Sequence, residues 1–181
     1  RDWAAPEVTA RNRLPMRSPL LPAPDVVRAR EGARDGSPWF CRLDGRWRFT
    51  LADRPEAAPR AFAAPDFDDR AWAEVDVPGC WTMQGFDRPI YTNIQMPFPG
   101  VPPHVPDDNP TGCYRTTFDV PAGWSGRRIV LHVGAADSVL LVWVNGCAVG
   151  MSKDSRLEAE FDVTDLVQPG VNTLAAMVVR W

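Results

Sequence analysis

Carboxylates stand in three clusters along the chain, and a pair of carboxylates is the arrangement that acid–base hydrolysis of a glycoside requires. The clusters are Asp66/Asp68/Asp69, Asp107/Asp108 and Glu158/Glu160/Asp162. The first two are typical of turns, where aspartate side chains bond the backbone. In the third cluster the acids alternate with apolar residues, so a strand would place all three on one solvated face. We favour this interpretation over a catalytic acid pair.

The two histidines do not suggest a metal site. His132 lies between Leu131 and Val133, so a strand would turn its ring to the opposite face, and we predict a sheet histidine rather than a ligand. His104 lies among prolines, and we predict a surface ring. The sequence also lacks the GxGxxG, GxxxxGK and G-x-S-x-G motifs of nucleotide binding and serine hydrolysis.

Four cysteines are widely spaced and form no CxxC pair. They are Cys41, Cys80, Cys113 and Cys147. Zinc sites need close pairs of ligands, and a disulfide scaffold of this length would be denser in cysteine. We therefore predict free thiols in a reducing, cytoplasmic environment.

Tryptophan is abundant, with eight residues, and flat rings serve both core packing and stacking on sugars. Trp47 and Trp143 fall in predicted strands, and we expect both in the core. Trp81 lies in a proline-rich stretch, and its role stays open between core filling and sugar stacking.

Strand patterns dominate from residue 43 onward. Residues 45–51 alternate between aromatic or apolar and polar positions, and β-branched or aromatic runs follow at 113–120, 128–133, 139–144 and 173–179. Asn145-Gly146 predicts a two-residue hairpin, because a type I′ turn needs positive φ at both central positions. A single helical turn is predicted at 67–72, with Asp66 as its N-cap. These patterns predict an all-β antiparallel sandwich.

Prolines, 19 in all, mark two segments that the sandwich does not contain. Residues 1–40 carry six prolines and predict an extended N-terminal arm with at most a short helix at 25–33, ahead of a domain at 41–181. Residues 77–112 carry eight prolines and cannot form a central strand, because each proline removes a ladder donor. A loop region of this length is usually functional.

Charge and hydropathy exclude two classes of partner. A net charge of −3 argues against nucleic acid, which selects a basic face. The apolar run 139–144 is far shorter than the ~20 residues of a membrane helix, so we expect no membrane partner.

The sequence contains Pro-Ile-Tyr-Thr-Asn at 89–93 and Asn-Pro-Thr-Gly-Cys-Tyr at 109–114. These two motifs resemble the amino-terminal sugar-binding domain of the bacterial β-galactosidases of glycoside hydrolase family 2. Weaker matches at 1–3, 43–49, 154–157 and 177–181 follow in family order. The resemblance implies a jelly-roll β-sandwich, like other galactose-binding domains, that packs against a separate (β/α)8 barrel.

The resemblance also implies a division of labour. In the family the barrel supplies both catalytic glutamates for retaining hydrolysis of β-D-galactosides, so we expect no catalytic residue in this chain. Asn93 is expected to bind a galactose hydroxyl, with Ile94 lining the subsite. The residues agree, since an amide both donates and accepts hydrogen bonds. The alternatives are a self-standing carbohydrate-binding module and the equivalent domain of a β-glucuronidase or β-mannosidase.

Sodium and magnesium are implied for the full-length family. The aspartate that binds sodium is expected a little beyond Trp181, so this chain is expected to hold only part of the rim. The sandwich is expected to be truncated at its C-terminal end, because a jelly roll closes its edges with its last strands. In the peripheral divalent site Asp2 matches, whereas Ala5 and Lys153 replace an asparagine and a glutamine. A lysine repels a metal ion, so we predict no metal beside Asp2. Family members form tetramers through the arm, so we expect a homo-oligomer at full length.

Overall fold

Nine strands and one short helix make up the regular structure of the computed structural model, which describes residues 2–18, 20–90, 98–101 and 103–181. The strands are β1 (Ala10–Arg11), β2 (Gly45–Ala52), β3 (Ala73–Val77), β4 (Thr111–Val120), β5 (Val130–Val133), β6 (Val139–Val144), β7 (Cys147–Ser152), β8 (Ala159–Asp162) and β9 (Gly170–Val179). The helix is α1 (Val26–Glu31). Short 3₁₀ turns lie at Asp2–Ala4, Arg34–Gly36, Pro55–Ala57, Trp81–Gln84 and Ala122–Trp124.

The strands pair in two antiparallel sheets. The larger sheet has seven strands in the order β1-β7-β6-β9-β4-β2-β3, and β5 pairs with β8 in the smaller one. The longest ladder joins β4 to β9, from Thr111 opposite Val179 to Val120 opposite Gly170. This arrangement confirms the predicted all-β sandwich class. None of the described helices is long and apolar enough to cross a membrane.

Both faces of the larger sheet are covered, which explains why its central strands are apolar on both sides. On one face Leu140, Val142 and Val144 form a buried cluster with Leu131 of β5 and Phe161 of β8. On the other face a second cluster combines alternate residues of the same strands with side chains of the 55–72 connection and the arm. Its buried members are Phe62, Cys113, Val139, Met151, Ala175, Met177 and Val179.

The hairpin between β6 and β7 turns as predicted. Asn145 has φ 50° and Gly146 has φ 81°, the pair of positive values that a type I′ turn requires. The Asn145 side chain adds long-range bonds: its Nδ2 donates to the Leu166 carbonyl at 2.8 Å, and its Oδ1 accepts from the Thr173 amide at 2.8 Å. The turn is therefore tied to the start of β9.

The arm is more regular than an extended strap. Ala10 and Arg11 add an edge strand to β7, and the predicted helix forms at Val26–Glu31 with Asp25 as N-cap. Gly150 makes room for this strand, because a Cβ at that position would lie 2.5 Å from the Arg11 carbonyl oxygen and 2.6 Å from the Phe161 ring. The division at residue 40 stays a prediction.

Three features differ from the sequence predictions. No helix forms at 67–72: a turn closes from the Trp72 amide to the Asp69 carbonyl at 2.9 Å, and no cap forms because the segment is too short to propagate. Strands β1 and β3 were not predicted, since neither alternates over enough residues to give a signal. Trp143 packs against the second cluster but is only half-buried.

Candidate functional site

Asn93 and Ile94, the predicted sugar-binding residues, lie outside the described residues. The chain that leads into them is described as far as Ile90 and resumes at Phe98. The candidate site is therefore defined by the residues that hold these two flanks. They are Arg180 and Trp181, which follow β9, and Asn109, which lies just before β4 and fixes Trp181.

Arg180, directly after β9, holds the flank that precedes residue 91. Its Nη1 donates to the Asp87 carboxylate, and its Nη2 donates to the Arg88 carbonyl at 3.0 Å. The side chains of Arg180 and Asp87 are only 13% and 17% exposed, although the Asp87 backbone is at the surface. The ion pair is thus largely shielded from water. The attraction between two charges is stronger in such surroundings than in bulk water.

Trp181 holds the other flank. Its ring meets the Phe98 ring edge-on, with centroids 5.2 Å apart, and the Arg180 guanidinium lies 5.2 Å from the same indole. The Asn109 side chain fixes the Trp181 backbone by accepting from its amide and donating to its carbonyl. Asn109 is 3% exposed, so these bonds form away from solvent.

Trp81 is buried next to this region, and its ring is not free to stack on a sugar. It is 7% exposed and packs against Phe49 and Val75. Gly112 makes this packing possible, because a Cβ there would lie 2.7 Å from the Trp81 ring. Core filling is therefore the role that the structure assigns to Trp81. Burial also raises the pKa of the neighbouring Tyr114 hydroxyl.

An apolar cleft of about 2390 Å³ opens between the two sheets beneath these residues. Trp47, Leu131, Leu140 and Tyr114 line its interior, and Trp181 stands at its rim. The rim offers hydrogen-bonding and aromatic groups without a converging acid pair. It can position a polar ligand.

The acids of β8 lie on one face of the strand, as predicted, and each is engaged by a cation; Asp162 is 40% exposed, whereas Glu160 is only 15% exposed. Glu160 accepts from Arg17 at 3.0 Å and lies 3.4 Å from His132, and Asp162 accepts from Arg128 at 2.7 Å. Hydrogen bonds from the Thr164 hydroxyl and from Arg128 lower the pKa of Asp162 to about 2. A general acid needs a raised pKa, so Asp162 is not suited to glycoside protonation.

The histidines are placed as predicted. The exposed His104 backbone amide donates to the Val101 carbonyl at 3.1 Å. His132 faces away from buried Leu131, beside Glu158 and Glu160. Among the described residues no group of three or more histidine, cysteine, aspartate or glutamate side chains could hold a metal ion.

The surroundings of Asp2 do not fit a divalent cation. Arg11 donates from Nε to one Asp2 carboxylate oxygen at 2.9 Å and approaches the other at 3.5 Å, which lowers the pKa of Asp2. The Lys153 ammonium donates to the Ala5 carbonyl at 2.6 Å, and burial lowers its pKa. Two cations thus lie beside Asp2 and Ala5, where a divalent ion would need oxygen ligands.

A buried ion pair lies behind the sheet, and the sequence analysis did not predict it. Arg115 of β4 is 4% exposed and donates from Nε to Asp69 at 2.7 Å and from Nη1 to the Ala64 and Phe62 carbonyls. It ties the 55–72 connection to the sheet. An arginine at the centre of a strand with buried neighbours was the available signal.

All four cysteines are free, as predicted. Cys113 is buried, and desolvation raises its pKa to about 12. Cys80 is exposed at the rim, where a hydrogen bond with the Thr82 hydroxyl, 3.0 Å away, lowers its pKa.

Comparison of sequences identifies close relatives over the whole chain. A β-galactosidase of Vibrio cholerae is 45% identical over 180 residues, which cover 99% of this chain and 17% of that protein. β-Galactosidases of Psychromonas ingrahamii and Enterobacter cloacae are 43% and 45% identical over 183 residues, which cover 100% of this chain and 17% of those proteins. The chain therefore spans about a sixth of the length of these relatives.

Solved structures share the fold. A β-glucuronidase of an uncultured Clostridium species matches with a TM-score of 0.57 at 21% identity, over 75% of this chain and 21% of that one. Bifidobacterium dentium β-glucuronidase, complexed with coumarin-3-O-glucuronide, matches with a TM-score of 0.57 at 24% identity, over 76% of this chain and 19% of that one. At these identities the likeness concerns the sandwich alone.

The family itself follows from the match between residues 40–181 and the sugar binding domain of glycosyl hydrolases family 2. That match covers every strand of the structure except β1. This chain belongs to the family 2 glycosyl hydrolases, as their sugar binding domain.

Proposed function

We propose that this chain is the non-catalytic sugar-binding domain of a β-galactosidase that performs retaining hydrolysis of terminal β-D-galactosides such as lactose. The observation that carries the proposal is identity of 42–45% across the chain to proteins of that name. The chain spans 17% of those proteins. In our proposal the catalytic glutamates belong to a barrel outside it, as the family resemblance implies. The ion-paired acids of β8 agree with this division.

Within that enzyme the domain shapes the rim of the galactose subsite. Asn93 bonds a sugar hydroxyl through its amide, and Ile94 lines the subsite beside it. The support is that the described flanks on either side of them in sequence, Ile90 and Phe98, line the apolar cleft, and that Arg180 and Trp181 contact these flanks. A pocket of this kind, apolar with a few oriented polar groups, suits a small polar ligand.

The partners we propose are the galactoside, the barrel of the same polypeptide and further copies of the enzyme in a homo-oligomer. Nucleic acid and membrane are not among them. The arm offers the assembly surface, since Met16, Leu20, Val26 and Val27 are exposed on it. We place the protein in the cytoplasm, which four free thiols support.

This segment holds no cofactor of its own in our proposal. Sodium and magnesium are implied for the full-length enzyme, and we propose that no divalent ion binds beside Asp2, because the Arg11 guanidinium and the Lys153 ammonium lie there.

Two measurements test the proposal. With the longer protein, nitrophenyl β-D-galactoside is hydrolysed faster than the matching β-D-glucuronide and β-D-mannoside; a preference for the glucuronide would assign the chain to another family 2 enzyme. With this chain alone, calorimetry gives millimolar or weaker affinity for galactose, since one asparagine and part of a rim enclose little of the sugar. Micromolar affinity would instead support a self-standing carbohydrate-binding module.

A further inference from the structure

A cavity of about 530 Å³ lies at one end of the sandwich, and none of the family motifs falls in it. Its walls are two stretches of chain, 120–129 and 162–169, which lead from β4 to β5 and from β8 toward β9. Val120 pairs with Gly170 at this end of the β4–β9 ladder, whereas Trp181 follows the other end, about 30 Å away at ~3.3 Å per residue. The volume lies within the range of about 300–1,000 Å³ that small-molecule sites occupy. We call this space the end cavity.

Two asparagines hold the wall formed by residues 162–169. Asn172 is 1% exposed, and its side chain accepts from the Gln168 amide at 2.9 Å and donates to the Gln168 and Gly170 carbonyls at 2.7 and 2.8 Å. Asn145 donates to the Asn172 side-chain oxygen at 2.8 Å and so joins this turn to the β6–β7 hairpin. These bonds fix the backbone of the turn before any ligand arrives. A preformed wall loses little entropy when a ligand binds to it.

The other wall contributes an indole that is already oriented. Trp124 ends the 3₁₀ turn Ala122–Trp124, and its Nε1 donates to the Pro38 carbonyl at 2.9 Å. Its carbonyl accepts from the Arg127 amide at 3.0 Å, and Gly126 supplies the positive φ of 74° at the third position of this turn. An indole whose N–H is bonded within the protein keeps its apolar ring for contact with a ligand.

Three polar side chains on these walls have no hydrogen-bond partner within the described part of the chain. They are Ser125, Asp165 and Gln168. The neighbouring Asp162, by contrast, already accepts from the Thr164 hydroxyl at 2.6 Å. A hydroxyl, a carboxylate and an amide together supply both donors and acceptors, which is the capacity needed to bond adjacent hydroxyls of a sugar. The cavity thus combines one aromatic ring with polar groups that the fold leaves unused.

The charges on the walls favour a neutral ligand. The lining contains two arginines and two aspartates, so it carries no net charge that would attract an ion. Arg128 donates to Asp162 at 2.7 Å, and the Arg127 guanidinium lies 3.4 Å from the centre of the Trp39 ring. Both cations are therefore engaged, and Asp165 is the charged side chain left to meet a ligand. A hydroxyl can donate to this carboxylate, whereas an anion is repelled by it.

We propose that the end cavity is a binding site for a neutral pyranoside, such as the terminal unit of an oligosaccharide. Trp124 packs against the apolar C–H face of the sugar, and Asp165 and Gln168 bond adjacent hydroxyls, with Ser125 at the opposite wall. The site is open and makes few bonds, so its affinity is in the millimolar range. It shares no residue with the candidate site at Trp181, and it stands whether or not the chain acts within a β-galactosidase.

The test is an NMR titration of the nitrogen-15-labelled chain with methyl β-D-glucopyranoside. We expect amide shifts in 124–128 and 164–169 that saturate together with one millimolar dissociation constant. Asp165→Ala and Gln168→Ala should each weaken binding about fivefold, the effect of one lost hydrogen bond. Because neither side chain bonds the rest of the fold, both variants should keep the thermal midpoint of the parent. The matched control is Asp107→Ala, an exposed acid outside the cavity, which should bind as the parent does.

A second probe tests the charge argument. Methyl β-D-glucuronide differs from the glucoside by a carboxylate at C6, so the parent chain should bind it about threefold more weakly, because Asp165 repels it across partly exposed surroundings. Asp165→Asn should remove the difference between the two probes. Equal affinities for glucoside and glucuronide in the parent chain would contradict the role given to Asp165.

Three results would overturn the proposal. They are shifts confined to Asn109, Arg180 and Trp181, shifts that rise without saturating, and parent-like affinity in both Asp165→Ala and Gln168→Ala. Trp124→Ala should abolish binding, and if that variant fails to fold, the two polar variants decide. None of these results bears on galactoside hydrolysis by the longer protein, so the proposed function is tested separately.

Discussion

Asn109 holds the main chain of Trp181 at both of its polar groups. The Asn109 side-chain oxygen accepts from the Trp181 amide at 2.9 Å, and the side-chain nitrogen donates to the Trp181 carbonyl at 3.0 Å. The Asn109 amide in turn donates to the Asp53 carbonyl, and its carbonyl accepts from the Thr111 hydroxyl. One buried residue thus joins the ends of β2, β4 and β9 beside the candidate site.

Replacing Asn109 tests this junction. Each buried hydrogen bond contributes about 1 kcal/mol and a stranded buried group costs more, so Asn109→Ala should lower the free energy of unfolding by about 2–3 kcal/mol. Gln84 makes the same two-point contact with Asp76 but in a more open position. Gln84→Ala should cost less than about 1 kcal/mol, because water replaces its bonds. Urea unfolding followed by tryptophan fluorescence measures both, and equal losses would contradict the account.

The Arg115–Asp69 pair gives a second prediction. Asp69→Ala leaves a guanidinium that is 5% exposed without its counter-charge, at a cost of about 3–5 kcal/mol. The matched control is Asp68→Ala, which removes an exposed partner of Arg70 and should leave the unfolding midpoint unchanged. The thermal unfolding midpoints of the two variants, each compared with that of the parent chain, test this prediction. Similar midpoints for Asp69→Ala and Asp68→Ala would show that the buried pair does not anchor the 55–72 connection.

Asp162 gives a prediction for acid pH. Its folded-state pKa of about 2 lies below the unfolded value of about 3.9, so its contribution to stability is present above the unfolded value and is lost as pH falls toward 2. The Thr164 hydroxyl, 2.6 Å from the carboxylate, is the largest cause. Thr164→Val should therefore raise the pKa of Asp162, whereas Thr164→Ser should leave it low. Carboxyl NMR titration measures this, and an ordinary pKa for Asp162 in the parent chain would contradict it.

The surroundings of Asp2 give a prediction about metal. Because the Arg11 guanidinium and the Lys153 ammonium occupy this corner, we expect neither magnesium chloride nor EDTA to move the thermal midpoint of the chain. Anomalous scattering from manganese-soaked crystals offers an independent readout. A rise in the midpoint with magnesium, or an anomalous peak beside Asp2, would show that a cation binds here despite the two positive side chains.

The sequence predicted the parts of the fold that local patterns encode. The alternation in β2 and the apolar runs of β6 and β9 identify strands and their faces, and Asn145-Gly146 identifies the hairpin because positive φ leaves few residue choices. The helical turn at 67–72 was wrong because so short a segment has little helical preference of its own. Edge strand β1 has two residues, too few for any periodicity.

The residues around the candidate site were harder to predict for a physical reason. Asn109 and Trp181 are 72 residues apart, and Arg180 and Asp87 are 93 apart. Periodicity reports which face a side chain occupies, but it does not report which distant loop meets that face. Asn93 and Ile94 were identified from motif resemblance, and their placement lies outside the described residues, so their role stays a prediction.

The most direct test of the account compares kcat/KM for nitrophenyl β-D-galactoside between the longer enzyme and its Asn93→Ala variant, with Arg70→Met as control. Removing one hydrogen bond to the sugar should lower kcat/KM by about tenfold or more, while the thermal midpoint stays at that of the parent. Unchanged kcat/KM in Asn93→Ala would contradict the claim that this domain contributes a sugar-binding residue to the active site.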